Sequence, residues 1–254
     1  MLGFNGGLLG VERRLTSGRL AATGLWLPNE QSIAKRVNNW PFGPTEVPNI
    51  GDAFLGGFFA GYISHTANGV ATHALIVAPR ATGATGTGYT LTTNYAWKTA
   101  GTTTTGTTST FDGRANTDAM IAAGISLHPA AQFCTGLSIG GFTDWYLPAR
   151  HELDIAYTNF KPDTTSNVTT TGINAYSVPA RASNYTTGSP AISSFAAFQA
   201  PSGTERFDTG NGHVSSTEIS ATQFNGVTFV SGSLSVTTKT SATLRTRAFR
   251  RVPV

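Results

Sequence analysis

Residues 140–153 read Gly-Gly-Phe-Thr-Asp-Trp-Tyr-Leu-Pro-Ala-Arg-His-Glu-Leu, and no other stretch constrains the fold as closely. The glycine pair calls for a tight turn. Trp145 and Tyr146 fit a short aromatic strand. Pro148 suits the first position of a helix, where a backbone N–H would be unpaired in any case. Leu147 and Leu153 anchor the two sides of that proline, and Leu153, Ala156 and Tyr157 fall on one face of the helix it opens. The stretch is structural, since it holds no recognisable catalytic device.

Composition points the same way. The chain has 254 residues, enough to bury a sizeable core. Only 12% are charged, against about a quarter in ordinary domains. Low charge with abundant Gly, Thr and aromatics predicts a β-rich, loop-rich domain. The net charge is +4, with basic residues grouped near the two ends: Arg13, Arg14, Arg19, Lys35 and Arg36, then Arg245, Arg247, Arg250 and Arg251. Separate end clusters without one dense basic face argue for carboxylate partners and against nucleic acid. Cys134 is the single cysteine, which excludes an internal disulfide. It reads as a buried apolar side chain. No apolar run is long enough to span a membrane, and residues 1–10 lack the cationic start of a signal peptide.

Along the chain, residues 1–25 are glycine-rich and irregular, and residues 29–39 form an expected short helix that ends at Pro41 and Pro44. Ile33 and Val37 share a face flanked by Trp26 and Trp40. A helix of this length needs tertiary contacts, so these four residues are the expected anchors by which an N-terminal arm over residues 1–45 docks onto another protein. The alternative is that the helix folds back on its own domain. The main domain is expected over 46–254. It begins with strands over 54–63 and 70–78 around the hairpin signal Asn68-Gly69. A threonine-rich surface loop over 81–110 follows, with Tyr95 and Trp97 as anchors. Helices are expected over 116–124 and 129–136, then the helix at Pro148. Residues 161–212 read as one long loop region, of the kind that is usually functional or disordered. Strands return over 223–230, 233–240 and 243–252.

In this order the chain carries Gly51-Asp52, Gly56-Gly57, Ala74-Leu-Ile-Val-Ala-Pro79, Trp97-Lys-Thr99, Ala115-Asn-Thr117, Phe142-Thr-Asp-Trp-Tyr-Leu-Pro148 with Glu152-Leu153, Ser215-Ser-Thr-Glu218 and Arg247-Ala-Phe-Arg-Arg-Val252. On these motifs residues 51–252 resemble the Lcl C-terminal-type domain, a domain of unknown function named from a bacterial collagen-like adhesin. The resemblance implies an α+β, C-type-lectin-like fold: a mixed sheet, short flanking helices and long ligand-presenting loops. The family's aromatics before Ser-Ser-Thr-Glu are replaced here by His213-Val214, which puts the local packing in question. The N-terminal Gly3-Phe-Asn-Gly-Gly-Leu-Leu-Gly10, Gly24-Leu-Trp26, Glu30-Gln31, Ala34-Lys-Arg36 and Trp40-Pro41 resemble the openings of tail-fibre and other virion proteins of tailed phages. Together these imply a virion protein, assembled in the host cytoplasm. Its arm would dock on other virion proteins and its lectin-like domain would bind a host-surface glycan or protein. The alternative is a purely structural capsid-decoration, collar or baseplate component without a host ligand. Phage appendages are often trimers, which makes a homotrimer one expectation by analogy.

No enzyme or cofactor is expected. The five histidines, read as ordinary surface or capping residues, show no zinc spacing. The calcium-lectin motifs are missing, and Asp208 and Asn211 stand apart. The fold's formylglycine-generating enzymes use a cysteine pair that this chain does not have. The C-terminal arginines are expected to form salt bridges, with Glu152 and Glu218 as partners. For ligand binding, Tyr176, Tyr185, Phe195, Phe198 and Phe207 lie among small polar residues, the composition of adaptable binding surfaces. The alternative for each is that it pins its loop to the domain.

Overall fold

The computed structural model describes residues 48–86 and 89–254. The expected arm over 1–45, with Trp26, Ile33, Val37 and Trp40, lies outside them. Contacts separate Asn49–Arg251 from a unit made of Met1–Pro48 with Val252–Val254.

The domain is α+β, built from two sheets of mainly antiparallel strands and a few short helices. In chain order the elements are β1 (Ala53–Phe54), β2 (Gly57–Ile63), β3 (His73–Val77), α1 (Arg80–Gly83), α2 (Gly113–Ala122), α3 (Pro129–Thr135), α4 (Arg150–Phe160), β4 (Ser177–Val178), β5 (Gly212–Glu218), β6 (Gln223–Thr228), β7 (Leu234–Thr238) and β8 (Phe249–Pro253). One sheet runs β1-β2-β3-β8, with β4 added to β2, and the other runs β5-β6-β7.

Helix α4 packs on β2 and also on β5 and β6, so it links the two sheets. Its buried Leu153, Ile155, Ala156, Tyr157 and Phe160 form the middle of the core. Glu152, three residues past the N-cap Ala149, accepts from the Ala149 N–H at 2.7 Å, as the acidic half of a capping box does. The helix thus begins at Arg150, two residues later than Pro148 predicts, and the Pro148 carbonyl instead accepts from Ser216 of β5 at 2.7 Å. Strand β2 carries a bulge between Phe59 and Gly61. Gly61 takes φ +122°, and the Asn159 amide of α4 donates to the Ala60 carbonyl at 2.7 Å. A residue with a Cβ would be strained in that backbone conformation.

Several expectations need correction. The β2–β3 connection spans residues 64–72, not a two-residue turn, because Ser64, Thr66 and Asn68 hydrogen-bond within a longer loop. Strand β5 is not among the expected strands: Gly212 closes the expected loop, and residues 213–218 have no expected element. It is buried along its whole length, so its Gly-His-Val-Ser-Ser-Thr-Glu sequence lacks the polar–apolar alternation of a half-exposed strand. Residues 243–248 pair only through isolated bridges before β8 begins.

The threonine-rich segment is not simply a surface loop, because it closes over a buried polar network. Glu218 and Lys239 pair at 3.0 Å with side chains 3% and 0% exposed. Glu218 also accepts from the Thr104 N–H at 2.9 Å and the Thr107 hydroxyl at 2.8 Å. Lys98 donates to the carbonyls of Thr102 and Thr103 and to the Thr104 hydroxyl. His128, expected at the surface, is fully buried between Thr104 and the Gly124 carbonyl. That carbonyl can only accept, so the imidazole proton sits on Nδ1 and Nε2 accepts from Thr104.

The arginine expectation holds for salt bridges but not for their partners. Arg245 pairs with Asp208 at 2.7 Å, Arg247 with Glu205 at 3.1 Å, Arg251 with Asp112 at 2.7 Å, and Arg250 with Asp144. Glu152 instead accepts from the Tyr146 hydroxyl at 2.6 Å and from the Gly113 and Ala149 N–H groups, while Glu218 belongs to Lys239.

Candidate functional site

The long region 161–212 has little regular structure, but buried amides fix it. Asn167 accepts from the Tyr157 hydroxyl, and its NH₂ donates to the carbonyls of Thr186 at 3.0 Å and Pro190 at 2.9 Å. Asn174 is fully buried and donates to the His151 carbonyl at 3.1 Å and to Asp154 at 2.6 Å. Arg181 bonds Asp154, the Gly172 carbonyl and, at 2.8 Å, the Thr158 hydroxyl. The Tyr185 hydroxyl donates to the other oxygen of Asp154. Burial pushes the Asp154 carboxyl above its ordinary value, against the pull of Arg181 and the hydrogen bonds from Tyr185 and Asn174.

Where this region meets the start of α4 and the β6–β7 turn, a cleft of about 200 Å³ opens. Arg150, His151 and Asp154 line it from α4. Thr170 to Ile173 and Asn184 line it from the long loops, and Val227, Gly232 and Leu234 from the second sheet. Gly232 is needed here: at φ +71°, a Cβ would lie 2.3 Å from the Tyr157 ring. The turn can therefore approach the helix closely, and the Thr171 hydroxyl donates to the Gly232 carbonyl at 3.0 Å.

The charges of the cleft are unequally committed. Asp154 is held by Arg181. Arg150 makes no ion pair with any described residue. Its Nη2 lies 3.5 Å from His151 Nε2, a long contact, and its enclosed Nε has no acceptor. Burial lowers the Arg150 pKa from its ordinary value, with Asp154 and Tyr176 acting in the opposite direction. Burial, helped by Arg150 and Arg181, lowers His151 to about 4, so it is neutral at pH 7. The cleft therefore offers one uncommitted positive charge, the exposed amide of Asn184, and apolar surface on Ile173 and Leu234, which are 55% and 40% exposed.

The five aromatics expected to bind ligand occupy different places. Phe198 and Phe207 are fully buried. Phe198 stacks on Phe160 at 3.8 Å, and Phe207 stacks on Phe229 at 3.8 Å, with the Arg247 guanidinium 4.5 Å from the Phe207 ring centre. Tyr185 is also in the core, and its hydroxyl is taken by Asp154. These three are corrected to core residues, because large rings surrounded by small polar ones supply the apolar area that holds the region to the domain. Tyr176 is half-buried, stacked on Phe111 at 4.1 Å and 5.4 Å from His151. Phe195 is half-buried and packs against the core. Sequence reasoning missed Arg150, Asp154, Ile173, Asn184 and Leu234. The one available signal was Arg150 and Asp154, four apart on the predicted helix and so on one face.

His213 packs among aromatic rings. It is buried, with ring centroids 5.0 Å from Phe207 and 4.8 Å from Phe229. Cys134 is fully buried and its thiol is pushed up by burial, so it carries no thiolate at neutral pH. Among the described residues, no group of three or more His, Cys, Asp or Glu side chains is placed to hold a metal ion. No described helix is long and apolar enough to cross a membrane. Compared with protein-family models and with curated proteins, the chain gives no match.

Proposed function

We propose that this protein is a phage virion component whose lectin-like domain recognises the host surface without catalysis. The observation that carries the reading is the cleft at the start of α4, walled by loops that buried Asn167 and Asn174 hold in place. Loops ordered before binding lose less entropy when a ligand arrives. Many copies on one particle would turn a weak single contact into firm attachment. Docking would use the arm, with Trp26, Ile33, Val37 and Trp40 as anchors, and a homotrimer is the arrangement proposed for the appendage. The test displays the full chain multivalently on beads and measures adsorption to host cells and to envelope extracts. Specific adsorption is expected. Its absence at high display density would defeat the host-recognition reading.

One observation favours the structural alternative. Strand β7 is an outer strand of its sheet and exposes Leu234 and Val236, the latter 58% exposed. Apolar side chains on such an edge suit a neighbouring protein. Electron microscopy of labelled particles separates the two: copies at exposed distal tips favour recognition, and copies enclosed by other proteins favour the structural role.

A further inference from the structure

The cleft also bears on the chemistry of its ligand, an inference that rests on the recognition reading above. It holds one cation without an ion-pair partner among the described residues, while its carboxylate is already bound to Arg181. An uncommitted guanidinium in a partly enclosed site favours an anion and can take a carboxylate through two parallel N–H bonds. A phosphate monoester, with nearly two negative charges, would be balanced only in part by that single arginine.

The remaining lining is mixed. Asn184 and Thr170 are exposed and can donate and accept, as hydroxyl groups require. Ile173, Leu234 and Val227 give an apolar wall for the C–H face of a ring. At about 200 Å³ the space is smaller than the roughly 300–1,000 Å³ of sites for drug-sized molecules, and so suits one unit of a larger chain. We propose that the cleft binds a carboxylated sugar unit of a host-surface glycan, with the carboxylate on Arg150, the hydroxyls on Asn184 and Thr170, and the ring face against Ile173 and Leu234.

The test measures binding of the full chain to polymers bearing glucuronic acid, N-acetylneuraminic acid, glucose or glucose 6-phosphate, at low and moderate salt. At least ten-fold preference for a carboxylated polymer over the glucose polymer is expected. Arg150→Gln, which keeps most of the side-chain stem, should abolish that preference, and Arg150→Lys should restore part of it. Ile173→Asp places a negative charge at an exposed rim position, where folding is not at stake, and should weaken the carboxylated polymers more than glucose. Arg114→Gln, a change to an exposed helix pair with Asp118 away from the cleft lining, should leave the preference intact.

Equal binding of charged and neutral polymers, preference for the phosphate, or undiminished preference in Arg150→Gln would each overturn the inference. Host-cell adsorption that persists in Arg150→Gln would overturn it too, while leaving host recognition standing. Carboxylate preference without host adsorption would support the inference and defeat the recognition reading instead.

Discussion

Two irregular regions of this domain close over a carboxylate and its cations, with opposite results. Around residues 98–107, Glu218, Lys239 and Lys98 are surrounded by threonine hydroxyls and backbone groups, and Glu218 and Lys239 are paired. Around residues 167–185, Asp154 and Arg181 are equally well supplied, but Arg150 beside them is left over and a cleft opens there. Burying a charge is costly unless it is paired and hydrogen-bonded. The first region is therefore explained by stability alone. In the second, Arg150 feels the Asp154 carboxylate but forms no ion pair with a described residue, and we propose that a ligand takes up that charge.

Glu218→Ala, in the closed region, should have the greatest consequence. It would leave the Lys239 charge without its carboxylate and orphan the Thr104 N–H, costing about 3–5 kcal/mol. At about 2–4 °C per kcal/mol for a domain of this size, thermal unfolding should shift down by roughly 6–20 °C. A shift as small as that of a surface substitution would break the contrast at its stable end.

A somewhat smaller effect is expected in pH dependence. His213 is held at about 3 by burial, against 6.5 for a free imidazole. The unfolded chain therefore gains a proton below pH 6.5 that the folded chain refuses, and stability falls as the pH drops from about 6.5 towards 3. Glu152 has the opposite sign. Its carboxyl is pushed up from 4.5 to about 7, so its contribution rises on acidification through that window. His213→Phe keeps the aromatic packing and should remove about 2–3 kcal/mol of the loss between about pH 7 and pH 4. Comparing denaturant midpoints of the two proteins at both pH values isolates the histidine. Parallel pH profiles would count against a neutral, buried His213.

Asp154→Asn keeps the size of the side chain but ends the ion pair with Arg181 and should cost about 1–3 kcal/mol in chemical denaturation. Hydrogen exchange should rise over residues 170–185, which Asp154 and Asn174 secure together. Protection unchanged there would mean that the cleft wall does not depend on this carboxylate.

Stability should respond least at Arg150. Arg150→Gln removes no ion pair with a described residue, so the unfolding midpoint should stay within about 0.5 kcal/mol of the original. A large loss would assign Arg150 to the fold and erase the difference between the two regions.

Local features of the fold were legible from the amino acids alone. Gly140-Gly141, the aromatics before Pro148 and the face shared by Leu153, Ala156 and Tyr157 place a turn and a core helix, because helix periodicity and proline geometry act over a few residues. The α3 boundaries follow from Pro129 and Gly136 in the same way. The composition and the segregated runs of expected strands and short helices are consistent with the α+β class that the resemblance implies. Partner choice was not legible. Which carboxylate meets Arg247 or Lys239, and whether Phe198 faces solvent or Phe160, depends on residues far apart in sequence. Strand β5 was missed because a strand covered along its whole length has no alternation to read. That Tyr185, Phe198 and Phe207 are core and that Arg150 is uncommitted emerged with the assembled fold, since burial and charge compensation belong to the surroundings a side chain acquires on folding.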